Sequence, residues 1–552
     1  MGQNGQMDHE RRRLGVQDAL WLEMDRPNNL MVVDSVIWTA EPLDFAKVRA
    51  VVEERLLDRY PVFRSRAVQD DDGSWWWELD PDFNFDNHVA LISLNKPDDP
   101  GALQDLVAAH RTEMLDRNRP LWQAIWVKRY REGSAMILRS HHAIADGMRM
   151  VQLSMSLFDG SPKGGAILAP AVAQHAAHPH PPGQALSKRV QSSAAVAARS
   201  AGGALSRLTG LFGAATDVPH LAQQAGRLGR FALRNPLGAG GSLVTAAQTA
   251  GSGVAEALRS ALPGGGRLID VFSSAPGDVD TIRKLLLGTR NDVTIWTGEA
   301  GGDKSVAWSE PMSLAAIKAV AAANRCTVND VLVATVAGAL YDYLEAHESR
   351  CSSVTFMVPV NLKPIDLTLP DTLGNEFALV QLELPTDEPD AHKVLEVAKR
   401  RMDRIKHGHE AAVAFRMQET IAGFSHELYE ASVDLFTNRT IGTLTNVPGP
   451  PMPVYLAGSL VDGMVGWAPI SGDQPMSFTI YSYDGEVTVG IACDTKLVPD
   501  HEMIIDGFAT AFGRLVEATP SADLMQITWG SAGRHPARSG GKGLRRGPGR
   551  KR

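Results

Sequence analysis

Residues 139–147 read Arg139-Ser140-His141-His142-Ala143-Ile144-Ala145-Asp146-Gly147. The string follows an apolar run at residues 135–138, which is typical of a strand, and precedes apolar residues at helical spacing. A neutral imidazole can accept a proton from a hydroxyl and return it to a leaving thiolate, the two steps that acyl transfer from a thioester needs. We interpret Asp146 as a carboxylate that folds back to fix the loop, and Gly147 as a turn residue whose place a side chain would block. The string therefore predicts a catalytic loop between a strand and a helix.

Three further strings accompany the histidines. They are Pro120-Leu121-Trp122, Thr327-Val328-Asn329-Asp330-Val331 and Asn446-Val447-Pro448-Gly449-Pro450. Shorter strings support them in the same order, namely Pro359-Val360-Asn361-Leu362, Leu373-Gly374-Asn375 and Val498-Pro499-Asp500. Together they resemble the motifs of the bacterial wax ester synthase/diacylglycerol acyltransferase family. That family belongs to the condensing acyltransferases, with chloramphenicol acetyltransferase and peptide-synthetase condensation domains. The resemblance runs from about Leu14 to Thr519.

The resemblance implies an α+β fold of two chloramphenicol-acetyltransferase-like halves, with the active site at their interface. The predicted elements agree with this class, because helices and strands mix in both halves without regular alternation. Apolar spacing and turn residues predict helices at 43–60, 313–324, 329–345 and 411–436, strands at 75–79, 135–138 and 354–360, and a hairpin of 478–483 with 487–493.

The resemblance also assigns roles to the histidine loop. It implies that His142 is the general base and that His141 supports the loop geometry. Asp146 is expected to be structural, held by an arginine from elsewhere in the chain. The string Arg64-Ser65-Arg66 lies in the matching region, and we choose Arg66 over Arg64.

Other matching strings are expected to surround the site. Asn329 and Asp330 are interpreted as architectural residues beside it, because both are good residues for a helix start. Pro120, Leu121 and Trp122 are expected to shape the substrate tunnel or the strand that leads to the site, with ordinary core packing of Trp122 an open alternative. Gly147 is expected to belong to the catalytic loop, and its backbone N–H is a candidate hydrogen-bond donor to the oxyanion of the tetrahedral intermediate.

Length and composition predict several parts in the chain. Its 552 residues exceed one compact core, and we expect an N-terminal half at 1–160, a linker or insertion at 161–268, a C-terminal half at 269–530 and a disordered tail at 531–552. The insertion carries ten Lys or Arg against two acids, and the tail has eight Lys or Arg without an acid. A helical subdomain remains the alternative for the insertion.

The remaining composition bears on compartment and partners. Only three cysteines occur, which fits a reducing cytoplasm, and no signal peptide or membrane-spanning stretch is recognised. We therefore expect a cytoplasmic protein that lies peripherally on the inner membrane face or on lipid bodies. No nucleic-acid motif accompanies the basic segments, so nucleic acid is not an expected partner.

The predicted function is O-acyl transfer from acyl-CoA to diacylglycerol, to a long-chain alcohol, or to both. Acyl-CoA is a substrate, and neither a cofactor nor a metal is expected, since no Glu, Asp or Cys completes a zinc-ligand spacing around the histidines. No Gly-x-Ser-x-Gly string occurs, so direct attack by the alcohol is expected rather than a serine intermediate. Two alternatives stay open: a condensation-type enzyme using a carrier-protein thioester, and a non-catalytic lipid-body protein.

Overall fold

The structure is a computed structural model that describes residues 11–27, 29–165, 293–361, 369, 373–375, 377–407, 414 and 440–519. Three predictions fall wholly or almost wholly outside these ranges. They are the helix at 411–436, the tail at 531–552 and the insertion at 161–268 beyond its first five residues.

The helices in the described ranges are α1 (Val16–Met24), α2 (Phe45–Val52), α3 (Pro100–His110), α4 (Gly147–Ser156), α5 (Leu314–Ala323), α6 (Val328–Ala346), α7 (Ala391–His407) and α8 (Glu502–Ala518). The predicted helix at 43–60 corresponds to α2 and the π-helical turn Glu53–Leu57 that continues it. Asp44 caps α2, because its carboxylate accepts the N–H groups of Ala46 and Lys47. The predictions at 313–324 and 329–345 are confirmed by α5 and α6.

The strands in the same ranges are β1 (Arg11–Arg13), β2 (Val32–Thr39), β3 (Ser65–Gln69), β4 (Trp75–Leu79), β5 (Val89–Ile92), β6 (Trp122–Tyr130), β7 (Gly133–His141), β8 (Lys304–Trp308), β9 (Met312–Ser313), β10 (Ser353–Asn361), β11 (Phe377–Pro385), β12 (Gly442–Pro448), β13 (Tyr455–Leu456), β14 (Ser459–Trp467), β15 (Met476–Tyr483) and β16 (Glu486–Asp494). The predicted hairpin is confirmed by β15 and β16. Its turn residues Asp484 and Gly485 have φ of 45° and 81°, the positive values that a primed two-residue turn requires.

Two large mixed sheets organise the chain. The first has the strand order β13-β14-β2-β7-β6-β5, and the second runs β11-β10-β12-β15-β16-β8, with β9 also paired to β16. A separate small sheet has the order β1-β4-β3. In the first sheet β7 lies between β2 and β6. Its last residue, His141, pairs with Val32 of β2 and donates its N–H to the carbonyl of Leu121, just before β6 (3.0 Å).

The first sheet includes two strands from late in the chain. β14 pairs antiparallel with β2, with Trp467 opposite Asp34 and Met464 opposite Ile37, and β13 pairs with β14. The predicted halves 1–160 and 269–530 follow chain order, whereas sheet membership does not. The division into halves stays a prediction, and the pairing of β14 with β2 ties the two predicted halves together at the backbone.

Helix α6 forms the centre of the second half. Nearly every residue from Val331 to Leu340 is buried, as expected for a helix that is apolar on all sides and enclosed by protein. It packs among α5, α7 and α8 in one continuous apolar core. Among the described helices, none combines the length and apolar character needed to cross a bilayer.

Candidate active site

The histidine loop lies where the sequence predicts it. β7 ends at His141, α4 begins at Gly147, and the residues between them form a tight turn in which the N–H of Ile144 donates to the carbonyl of His141 (3.0 Å). Asp146 is the N-cap of α4, since its carboxylate accepts the N–H of Arg149 (2.9 Å). Such caps satisfy N–H groups that have no partner inside the helix.

His141 is fully buried beneath the loop. Its Nδ1 accepts the N–H of Ala143 (3.1 Å), so in the neutral ring the proton is on Nε2, which faces the Asp25 carboxylate at 3.5 Å. Asp25 is itself bound by Arg117 (2.8 Å) and by the N–H of Met31 (2.8 Å). Burial lowers the His141 pKa. These contacts support the predicted role of His141 in loop geometry.

His142 lies in the wall of the main cavity. Its N–H donates to the carbonyl of Met31 (2.8 Å), and its carbonyl accepts from Nδ2 of Asn375 (2.9 Å). The imidazole stacks on Trp21 with 4.2 Å between ring centroids, and Phe377 lies 5.8 Å away. Burial lowers the His142 pKa to about 4, so the ring is neutral near pH 7 and can accept a proton.

The cavity beside His142 has a volume of about 350 Å³ and lies between the two halves. β2 and β14 contribute from the first sheet, and β10, β11, β12 and β15 from the second. Its wall is mostly apolar, with polar groups that include Asn375 and Asn446. A mostly apolar cavity with a few placed polar groups is typical of a ligand site.

Open space surrounds Gly147, and its backbone conformation is one that other residues also adopt. No atom lies within 4 Å of a Cβ built on Gly147, and its φ is not positive. The expectation that a side chain would be blocked here is therefore wrong. Gly147 is the first residue of α4 and lines the cavity, so its N–H has no acceptor within the helix. This agrees with Gly147 as an oxyanion donor.

The predicted arginine partner of Asp146 is corrected by the structure. Arg66 pairs with Glu78 (2.9 Å), which stands opposite it on β4. Arg64 pairs with Asp58 (2.6 Å). Cross-strand register gives Arg66 its acid, Arg64 finds one six residues earlier in the chain, and neither of these described arginines forms an ion pair with Asp146.

The Pro-Leu-Trp string does not line the main cavity. Leu121 is fully buried, and its carbonyl accepts the N–H of His141 (3.0 Å). Trp122 lines a second, mostly apolar cavity of about 60 Å³, and its indole N–H donates to the carbonyl of Phe63 (2.8 Å). Pro120, also buried, contributes to neither cavity wall. The string lies outside the wall of the main cavity and supports the base of the histidine loop, which agrees with the alternative that it shapes the strand leading to the site.

The Asn-Asp string caps α6 and reaches the cavity wall. Asp330 and Thr327 form a reciprocal capping box, and Lys406 lies 3.4 Å from the Asp330 carboxylate. Asn329 accepts a hydrogen bond from Nδ2 of Asn446 (3.0 Å), a cavity residue of the late Asn-Val-Pro-Gly-Pro string. These contacts agree with an architectural role beside the site.

A buried charge cluster under the first sheet was not foreseen from the sequence. Asp34 binds Arg111 (2.6 Å) and Arg139 (3.1 Å), and all three side chains are nearly inaccessible. Arg111 also donates to the carbonyl of Ala468 (3.2 Å), just after β14. Arg139 belongs to the histidine string, but its position alone gave no sign of this partner. Among the described residues, no group of three or more His, Cys, Asp or Glu could hold a metal ion.

Two mixed sheets face a common cavity, and strands β13 and β14 from late in the chain complete the first of them. With a His-His-x-x-x-Asp-Gly loop in the cavity wall, this arrangement defines a two-lobed acyltransferase of the chloramphenicol acetyltransferase type. Solved structures agree on the fold. The wax ester synthase/diacylglycerol acyltransferase from Marinobacter aquaeolei VT8 aligns with a TM-score of 0.59 at 18% identity, over 92% of this chain and 100% of that chain. The first condensation domain of the calcium-dependent antibiotic synthetase aligns with a TM-score of 0.52 at 14% identity, over 94% of this chain and 99% of that chain.

The chain belongs to the wax ester synthase/diacylglycerol acyltransferase family and is an acyltransferase. The model of the family's catalytic domain matches residues 14–332, and that of its C-terminal domain matches residues 373–516. A Mycobacterium tuberculosis protein named as a diacylglycerol O-acyltransferase is 25% identical over 530 residues, 92% of this chain and 97% of the relative. A second diacylglycerol O-acyltransferase by name from that organism, tgs1, is 24% identical over 471 residues, which are 82% of this chain and 84% of the relative.

Proposed function

We propose that this acyltransferase moves a long-chain fatty acyl group from acyl-CoA to diacylglycerol, to a long-chain alcohol, or to both. The observation that carries the proposal is the imidazole of His142, which stacks on Trp21 in the wall of a mostly apolar cavity. The names of the relatives support diacylglycerol as acceptor, and the family's name includes wax esters. Acyl-CoA acts as a substrate, and the reaction needs no resident cofactor.

In the proposed mechanism His142 removes the proton of the acceptor hydroxyl as its oxygen attacks the thioester carbonyl. The new C–O bond forms, the C–S bond breaks, and the imidazolium returns the proton to the departing coenzyme A thiolate. The N–H of Gly147 donates to the oxyanion of the tetrahedral intermediate.

Purified protein assayed with one long-chain acyl-CoA should release coenzyme A when diacylglycerol or a long-chain alcohol is present, and far less without an acceptor. Each acceptor is tested separately, with ester formation followed by thin-layer chromatography. Turnover of a carrier-protein thioester, with neither lipid acceptor used, would support the condensation-type alternative. Binding of the lipids without any ester would support a non-catalytic lipid-body protein.

We also propose that the protein works at an anionic membrane or lipid-body surface on the cytoplasmic side, because its lipid acceptors are almost insoluble in water. The support is compositional: residues 531–552, outside the described ranges, carry eight Lys or Arg and no acid. Each such charge near an anionic surface contributes about 1 kcal/mol. The full chain should therefore sediment with anionic vesicles more than a chain ending at Gly530 does, and salt should reduce the difference. Equal, salt-independent sedimentation would contradict the proposal.

A further inference from the structure

Asn375 contacts the catalytic loop from the second half. Its Nδ2 group donates one hydrogen bond to the main-chain carbonyl of His142 (2.9 Å) and another to Oδ1 of Asp18 (2.8 Å). Both partners are acceptors, so the amide must present its nitrogen to them. All three residues are buried. The orientation of the Asn375 side chain is thus fixed from two directions.

Asp18 holds Asn375 through the backbone as well. The N–H of Asn375 donates to the same Oδ1 atom of Asp18 (3.0 Å). A Cβ added at Gly374 or at Gly15 would lie 3.2 Å from Oδ2 of Asp18. Glycine at both positions therefore lets the Asp18 carboxylate lie close to the backbone. This explains why a glycine precedes Asn375 in the Leu373-Gly374-Asn375 string.

Helix α1, which holds Asn375 through Asp18, also contacts His142 directly. Trp21 lies three residues after Asp18, on the same side of the helix, and its ring stacks on the imidazole at 4.2 Å with 24° between the planes. Asp18 thus orients the donor to the main chain of His142, while Trp21 contacts its ring. The two contacts together define both the position and the tilt of the imidazole.

We propose that Asn375, oriented by Asp18, is a positioning residue for His142, through which the second half sets the catalytic imidazole over the cavity. The inference rests on the proposed role of His142 as the base. Asn375 borders the cavity, but both hydrogen bonds of its side-chain nitrogen go to protein acceptors, the His142 carbonyl and Asp18. Its loss therefore changes the rate of the chemical step more than the binding of either substrate.

Asn375→Leu should lower kcat by about 10–100-fold, since a displacement near 1 Å at a reacting group costs on that order, while KM changes little. The matched control is Asn324→Leu. Asn324 also donates two hydrogen bonds, to the carbonyl of Val320 (2.9 Å) and to Thr519 (3.0 Å), but lies outside the cavity wall. That variant should lose stability and keep kcat. Normal kcat in folded Asn375→Leu would overturn the proposal.

A double variant separates positioning from simple structural support. Asp18→Asn combined with Asn375→Asp restores a hydrogen bond between the two side chains, because the new amide donates to the new carboxylate. It leaves the His142 carbonyl facing a carboxylate oxygen instead of an N–H donor. Thermal stability should recover relative to Asn375→Asp alone, whereas kcat should stay at least about 10-fold low. Recovery of both would show that the pair is only structural.

A measurement independent of activity distinguishes failure of this proposal from failure of the proposed function. In the full chain with isotope-labelled histidine, the ring signals of His142 should shift or broaden in Asn375→Leu, while those of the buried His88 should not. If His142→Ala remained active but these signals moved, the base assignment would fail and the positioning would stand. Unmoved signals would refute the positioning, whatever the activity of His142→Ala.

Discussion

Replacing His142 with alanine is expected to lower kcat by about 10²–10⁴-fold, the usual contribution of a general base. The main-chain contacts of His142 with Met31 and Asn375 do not involve its side chain, and the ring borders an existing cavity, so the variant should remain folded. Circular dichroism measures folding, and coenzyme A release measures turnover.

The matched control is His88→Ala. His88 is also buried and stacked on a tryptophan, at 4.6 Å, but lies outside the main cavity wall. Near-normal turnover by folded His142→Ala would refute the mechanism.

The pH dependence of kcat/KM is a second test of the role of His142. A base works only while unprotonated, so activity is lost as pH falls through its pKa. Burial lowers the His142 pKa to about 4, and kcat/KM reports groups of the free enzyme. The wild-type profile should therefore be flat from neutral pH down to about 5, with its acid limb near 4. An acid limb near the ordinary histidine value of about 6.5 would show that His142 is not buried as described.

Local patterns predicted the elements that depend on neighbouring residues. The hairpin of β15 and β16 follows from the Asp484-Gly485 turn, and α6 from its capping residues and its continuous apolar run. The position of the histidine loop between β7 and α4 likewise follows from the residues directly before and after it. Each of these features is decided within a few residues, where turn, capping and spacing preferences act.

Contacts between distant parts of the chain were not predictable in this way. Asn375 is 233 residues from His142, and β14 reaches β2 from the other half. Arg66 was assigned to Asp146 by its position in the sequence, but the β3–β4 register places Glu78 opposite it. The register of two strands is a property of the whole sheet, which a single string does not specify. The stacking of Trp21 on His142 has no sequence signal at all.

The Asp34 cluster gives the second large effect, on stability. Asp34 is the shared partner of two buried guanidinium groups, Arg111 and Arg139, whose side chains are 5% and 1% exposed. Asp34→Ala leaves both cations without a counter-charge in a poorly solvated place. Removing one partner from a buried ion pair costs about 3–5 kcal/mol, and we expect the free energy of unfolding to fall by that amount in urea denaturation.

The matched control for Asp34→Ala is Asp98→Ala. Asp98 pairs with Arg129 at 2.7 Å, a distance like that of the buried pair, but the two side chains are 67% and 57% exposed. An exposed pair contributes about 0–1 kcal/mol because water screens the charges. Both sites pair an aspartate with arginine, so the difference between the variants reports burial together with the second arginine that Asp34 holds. Arg111→Met in the Asp34→Ala background should recover part of the loss, because it removes one uncompensated cation. Equal stability of Asp34→Ala and Asp98→Ala would mean that the cluster does not hold α3 and the first sheet together.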